Sequence, residues 1–164
     1  MKKICFYFGV ISLLLMAACT QQVDKVDLAK EKDAIKLVLE KYVIANESQD
    51  ISKIEEIWLP SEDIVSFGTE KDEKLVGISK IKEAVQSQFT RFKNTYISVH
   101  DQTVDVSEDG NTAWFAEIIN YNFILNDSAH VYEGLCYTGV LNKKEGQWKL
   151  VMTHMSVPIK PLNP

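Results

Sequence analysis

The apolar residues in the first half of the chain recur at helical spacing. Four of them, between residues 24 and 49, stand at positions i, i+3, i+4 and i+7: Ile35, Val38, Leu39 and Tyr42. This spacing places them on one face of a helix, and charged residues fill the other face. Asp50 is a residue type that caps helix N-termini, so we expect a second helix from there until Pro60 ends it.

A short hairpin and a third helix are predicted next. Residues 64–68 and 75–77 are two short strand candidates around a charged turn. Ser79 is a candidate N-cap for the third helix. The apolar residues of that helix again follow helical spacing: Ile81, Ala84, Val85, Phe89 and Phe92.

After Asn94 the chain becomes rich in β-branched and aromatic residues. Four such segments, residues 96–107, 112–125, 130–141 and 147–158, are separated by short runs of turn-forming residues. Long segments of this kind joined by short turns predict an antiparallel meander. Helices followed by strands indicate an α+β fold, in which the helices pack on one face of a curved sheet.

The first twenty residues follow a different pattern. Two lysines precede an uncharged run over residues 4–16, and two alanines stand directly before Cys19. An apolar run this short, with a positive start and small residues at its end, is typical of a cleaved secretory signal. Residues 15–19 (LMAAC) resemble the lipobox of bacterial lipoproteins. The resemblance implies that residues 1–18 are a signal peptide, that Cys19 is lipidated and that residues 19–26 hold the lipid and a tether.

This interpretation places the mature protein in the cell envelope, where its lipid anchors it to a bacterial membrane. Thr20 follows the cysteine at the position where the enterobacterial signal for inner-membrane retention has Asp. We therefore expect the outer membrane if the host has one. An uncleaved N-terminal anchor and an ordinary secretory signal are the alternatives.

Charge and cysteine content exclude several classes of partner and site. The formal net charge of the whole chain is −5, and removal of the two signal lysines makes it more negative. An acidic surface does not attract nucleic acid, so no nucleic-acid partner is expected. Cys136 is the only cysteine after Cys19, which leaves no pair for an intramolecular disulfide. The sequence has no common metal-ligand spacing and no glycine-rich phosphate loop, so neither a metal nor a cofactor is expected.

Three motifs resemble the SnoaL-like branch of the nuclear transport factor 2-like superfamily, which includes the ketosteroid-isomerase-like proteins. They are residues 50–58 (DISKIEEIW), 77–81 (GISKI) and 145–158 (EGQWKLVMTHMSVP). The resemblance covers residues 27–158 and leaves residues 159–164 as a tail. It implies a cone in which a curved, mainly antiparallel sheet and the N-terminal helices enclose one hydrophobic pocket. It also implies that the outer face of the sheet can form a homodimer.

The isomerase chemistry of that superfamily is not expected here. Aligned by these motifs, the catalytic base falls near Phe67 and the second acid near Thr138, and neither residue is a carboxylic acid. His154 is the remaining catalytic candidate, because imidazole exchanges protons near neutral pH. A structural role for this histidine is the alternative. Glu117 and Glu133 lie within predicted strands, and an inward orientation would raise the carboxyl pKa and make either one a candidate base.

We therefore expect a membrane-anchored protein whose cone binds a small hydrophobic molecule. The predicted pocket residues combine aromatic and polar side chains: Trp58, Phe67, Trp114, Tyr121, Thr138, His154 and Ser156. One alternative is an enzyme (an isomerase, cyclase or hydrolase) that acts on a hydrophobic substrate through His154. Another is a protein-interaction module that uses the outer face of the sheet.

Overall fold

The computed structural model describes residues 26–158. Within this range the chain folds into three helices, α1 (Leu28–Ser48), α2 (Ile51–Ile57) and α3 (Ile78–Arg91), and six strands. The strands are β1 (Val65–Phe67), β2 (Lys74–Val76), β3 (Lys93–Val106), β4 (Thr112–Leu125), β5 (Ser128–Lys144) and β6 (Gln147–Ser156). This order confirms the predicted α+β architecture. The signal, Cys19, most of the tether and the tail lie outside the described residues.

Two of the helix starts follow from aspartate caps. The Asp27 carboxylate accepts a hydrogen bond from the Lys30 backbone N–H at 3.1 Å, and Asp50 accepts one from Ser52 at 3.0 Å. Ser79, by contrast, is not the N-cap of α3. Gly77 takes that position with φ +86°, a left-handed conformation that glycine adopts without strain. Among the described residues, no helix is both long enough and apolar enough to cross a bilayer.

The strands form one sheet in the order β2-β1-β6-β5-β4-β3. Neighbouring strands are antiparallel except β1 and β6, which are parallel. Irregularities in pairing fall at residues 94–95 and 101–102 of β3, 133–134 of β5 and Val151 of β6. A β-bulge bends its strand and increases the local twist, so these positions curve the sheet around the helices.

The face of the sheet that packs on the helices is called the inner face here, and the opposite side is the outer face. Along β4 every second side chain is buried on the inner face: Ala113, Phe115, Glu117, Ile119, Tyr121 and Phe123. Helices α1, α2 and α3 complete the core with Ile35, Leu39, Ile54, Ile57 and Ile81. The Glu31 carboxylate joins the start of α1 to the β5–β6 hairpin, accepting from Lys143 Nζ at 2.6 Å and Trp148 Nε1 at 2.7 Å.

Candidate ligand-binding cavity

The inner face, helices α1 and α3 and the β1–β2 turn line an open cavity of about 690 Å³. Its apolar lining consists of Leu75, Ala84, Phe92, Phe123, Leu135 and Met155. Tyr42, Gln88 and Tyr121 add polar atoms to this lining. The volume lies within the range of small-molecule sites, which are mostly apolar with a few fixed polar groups.

Two polar groups of the cavity wall, Gln88 and Tyr121, form a hydrogen-bonded triad with Asn46, which does not line the cavity. Gln88 Nε2 donates to Tyr121 Oη at 2.6 Å and to Asn46 Oδ1 at 3.3 Å, and Tyr121 Oη donates to Asn46 Oδ1 at 3.2 Å. Asn46 Nδ2 in turn donates to the backbone oxygen of Tyr42 at 2.9 Å. Burial raises the pKa of Tyr121, so its hydroxyl stays protonated. The triad therefore presents neutral hydrogen-bonding groups in fixed positions.

Tyr42 lines the cavity, and Tyr137 is a buried core residue that packs against it. Their rings stack with centroids 4.8 Å apart, and the Phe115 ring meets Tyr137 edge-on at 5.0 Å. The Tyr137 hydroxyl is buried and has no hydrogen-bond partner among the described residues. Burial raises the pKa of both tyrosines, so both stay neutral phenols. A buried hydroxyl without a partner is uncommon in folded proteins.

Stacked aromatic side chains surround one end of the cavity. Phe92 and Phe123 stack at 3.8 Å, and the rings of His130 and Tyr132 lie nearly parallel to Phe123 at 5.2 and 5.9 Å. Residues 69–73 of the β1–β2 turn and Arg91, at the end of α3, also line this end. We call this end the mouth, because its lining includes exposed residues.

Glu117 has the inward orientation that would make it a candidate base. It is 3% exposed, and Gln102 Nε2 donates to its Oε2 at 2.7 Å. Burial raises the Glu117 pKa, and the hydrogen bond from Gln102 partly opposes that shift. The residues that line the 690 Å³ cavity do not include Glu117. Glu133 is exposed and has no comparable environment.

The structure separates the seven residues predicted to share the pocket. Tyr121 lines the cavity, and Trp58 is buried in the core beside Leu150. The other five do not line the cavity and belong to the outer side of the sheet: Phe67, Trp114, Thr138, His154 and Ser156. Their predicted placement is therefore corrected. Trp114 is 47% exposed between the buried Ala113 and Phe115.

A β-bulge explains the position of His154. Trp148 and Leu150 point inward, and strict alternation would also turn residues 152, 154 and 156 inward. Val151 is an extra residue in β6, because Leu141 pairs with Leu150 while Val140 pairs with Met152. One inserted residue exchanges the two faces for every residue that follows. Thr153 is therefore buried, and His154 is exposed with its ring edge-on to Phe67 at 6.0 Å.

Asn46 and Gln88 are site residues that the sequence interpretation missed. Each one continues an apolar helical stripe: Asn46 stands four positions after Tyr42, and Gln88 four after Ala84. A polar residue at such a position turns toward the core and requires a partner there. That interruption of the stripe was the available signal. Among the described residues, no cluster of His, Cys, Asp and Glu side chains is arranged to hold a metal ion.

Over residues 26–158, three helices that pack on a curved six-stranded sheet and line a cavity with it have the nuclear transport factor 2-like fold. The model of the SnoaL-like domain family matches residues 35–160, and the chain belongs to this family. No curated protein matches the chain.

Several solved structures share the fold at low sequence identity. A nuclear transport factor 2-like superfamily protein from Salmonella enterica serovar Typhimurium is 17% identical, with a TM-score of 0.73 over 80% of this chain and 94% of that one. A proposed dehydratase from Streptomyces avermitilis is 15% identical, with a TM-score of 0.71 over 80% and 99%. A protein of unknown function from Pseudomonas putida is 18% identical, with a TM-score of 0.66 over 80% and 89%. At these identities the likeness establishes the fold alone.

Proposed function

We propose that this protein is a lipid-anchored lipoprotein of the cell envelope that binds a small hydrophobic molecule in its cone. The observation that carries the proposal is the cavity of about 690 Å³, which combines an apolar and aromatic part with two hydrogen-bonded polar groups, Gln88 and Tyr121. Contact with the apolar part of the cavity removes the apolar surface of the ligand from water, and hydrogen bonds to the polar groups orient the ligand.

The polar groups indicate what kind of ligand fits. Away from the mouth they are the Gln88 amide and the Tyr121 hydroxyl, which Asn46 holds in place by hydrogen bonds. Charged side chains line only the mouth, at Arg91 and in residues 70–73. Burying a charge without a partner is costly, so a neutral ligand with one or two hydrogen-bonding groups is favoured over an ion.

Paired probes test this proposal on the unlipidated mature chain. We would titrate 2-acetylnaphthalene, which has a carbonyl, and 2-isopropylnaphthalene, which has the same shape without one. Saturation at about 100 times the dissociation constant should stabilise the domain by roughly 2.7 kcal/mol, a thermal shift of several degrees. Ala84→Phe places a ring in the cavity and should abolish the shift, whereas Ala29→Phe on the exposed side of α1 should preserve it. Binding that survives Ala84→Phe would refute the cavity as the site.

The lipid anchor requires a separate test. Cys19→Ser should abolish incorporation of labelled palmitate and release the protein from the membrane fraction. Two or more acyl chains give stable anchoring, so the native chain should stay bound through washing. Palmitate incorporation that persists in the variant would exclude Cys19 as the lipid site.

Catalysis is the second candidate function, and Glu117 favours it. A buried carboxyl with a raised pKa is a feature of general bases. One structural neighbour is a proposed dehydratase. His154 loses its role in this alternative, because the outer face separates it from the cavity. Glu117 does not line the cavity, so this alternative requires a substrate that reaches past the lining to the carboxyl. Turnover of such a substrate should be lost in Glu117→Gln and kept in His154→Ala.

The outer face supports a possible homodimer. Trp114 is 47% exposed and Phe67 40% exposed on this side of the sheet. Light scattering at increasing concentration would measure self-association of the unlipidated chain. A dimer through this face predicts a mass that rises with concentration in the native chain and stays monomeric in Trp114→Ser. A mass that stays monomeric in both chains would exclude the dimer.

A further inference from the structure

The chain enters the domain at the end opposite to the mouth. A side chain at Gly110, in the β3–β4 turn, would meet Val26, whose Cγ1 lies 2.7 Å from the position of the added Cβ. Lys143 near the end of β5 pairs with Glu31 in the first turn of α1. The start of α1 and the β3–β4 and β5–β6 turns therefore share one end of the domain, which we call the entry end.

The mouth lies at the other end of the same strands. β4 runs from Ala113, beside the entry end, to Phe123, which stacks on Phe92 at the mouth. Phe67, at the end of β1, pairs with His154 near the end of β6, which places the β1–β2 turn at the mouth as well. Ala113 and Phe123 are ten residue steps apart along β4, a distance of about 30 Å at the usual rise per residue.

The tether is shorter than this distance. Seven residue steps separate Cys19 from Val26. A chain of that length spans at most about 25 Å when fully extended. For the mouth to face the bilayer directly, Val26 would have to stand about 30 Å from the lipid surface, which a tether attached at Cys19 does not allow.

We infer that the cavity opens away from the membrane that carries the protein, so its ligand enters from the aqueous compartment and not directly from the anchoring bilayer. The inference rests on the proposed lipidation of Cys19 and is independent of the ligand. It assigns the entry end, with the β3–β4 turn, to the lipid surface.

Site-directed quenching in vesicles tests this orientation with the full lipidated chain. Cys136→Ser leaves no free thiol in the mature protein, because Cys19 is acylated. A bimane label is then placed at Glu108→Cys in the β3–β4 turn or at Ser128→Cys at the start of β5, beside the mouth. Vesicles of phosphatidylethanolamine and phosphatidylglycerol carry a nitroxide headgroup lipid, which quenches only at short range. We expect quenching at residue 108 to exceed quenching at residue 128 at least threefold.

A matched variant tests the role of tether length. An insertion of about 20 Gly and Ser residues after Val23 lengthens the reach of the tether, and it should raise quenching at residue 128 toward that at residue 108. Equal quenching at the two positions in the native-length chain would overturn the orientation. Quenching at residue 128 that the insertion does not raise would also overturn it, because the orientation is argued from tether length. A protein that does not stay on the vesicles would refute the anchor itself, while ligand binding by the unlipidated chain would stand.

Discussion

The two faces of the sheet are built from the same strands but differ in chemistry. Phe115 and Trp114 are adjacent in β4, yet Phe115 is 2% exposed on the inner face and Trp114 is 47% exposed on the outer face. The inner face buries neutral hydroxyls and one carboxyl among aromatic rings. The outer face carries the imidazole and hydroxyls that first suggested a reactive site. The comparison shows that residue type alone does not locate the cavity, since the pleat decides which side chain enters it.

Truncation of the two neighbouring aromatics gives the largest expected contrast. Phe115→Ala leaves a hole beneath Tyr137 and should lower the free energy of unfolding by about 3–5 kcal/mol. Trp114→Ala removes an exposed ring and should cost under about 1 kcal/mol. Urea denaturation of both variants measures the difference. Similar losses would show that the outer face is also buried, as in a dimer, and the dilution dependence of the Trp114→Ala midpoint would identify that case.

The glycine at the inner-face position beside Phe115 gives the next contrast. A Cβ at Gly139 would lie 2.5 Å from the Met152 backbone oxygen and 2.6 Å from a Phe115 ring carbon. Gly139→Ala should therefore destabilise the protein by about 1–3 kcal/mol through overpacking. Thr138→Ala, the neighbouring outer-face control, should change stability by less than about 0.5 kcal/mol. A neutral Gly139→Ala in thermal denaturation would mean that Phe115 moves aside freely.

Glu117, on the inner face, makes the stability of the protein depend on pH. Its pKa in the folded protein is raised above the unfolded value, so its contribution to stability is present at low pH and is lost as the pH rises through the folded pKa. Glu117→Gln stays neutral throughout. The stability of Glu117→Gln relative to the parent should therefore increase as the pH rises through the folded pKa, over a range that begins near the ordinary Glu pKa of about 4.3. A difference that stays constant over this range, measured by urea denaturation, would contradict the burial of a titrating carboxyl.

The unpaired hydroxyl of Tyr137 predicts a smaller effect of unusual sign. Tyr137→Phe removes a buried polar atom that has no partner, so the unliganded protein should gain up to about 1 kcal/mol of stability. The same variant should leave the affinity for both probes unchanged, because Tyr137 does not line the cavity. Thermal denaturation and titration measure the two effects. A clear loss of stability would show that this hydroxyl is hydrogen-bonded in solution.

His154 should show the smallest effect. It is exposed on the outer face beside Phe67, so His154→Ala should change stability by less than about 0.5 kcal/mol and leave the affinity for both probes unchanged. Fluorescence titration of the variant is the check. Loss of probe binding would place this imidazole in the cavity and contradict the register of β6.

Much of the fold could be predicted because local and tertiary signals agree. The stripe from Ile35 to Tyr42, the Asp50 cap and the turn-forming runs each specify an element, and the order of elements specifies their layering. The site was harder to predict because it depends on which way each strand faces. Val151 exchanges the faces of β6, and nothing in its residue type distinguishes it from a paired valine. Asn46 and Gln88 interrupt apolar stripes, but their partner Tyr121 lies on a distant strand.

The place of β6 in the sheet has a consequence for the order in which the protein is assembled. This strand is the last of the six in sequence, yet it lies between β1 and β5 in the sheet. Its pairing with β1 brings together Ser66 and Thr153, which are 87 residues apart in the sequence. Contacts between residues so distant in sequence form late, because a long loop must close first. A chain that is still emerging from a ribosome or a translocation channel has no partner for the β1–β2 hairpin. The sheet is therefore completed only after the last ten residues of strand have been released.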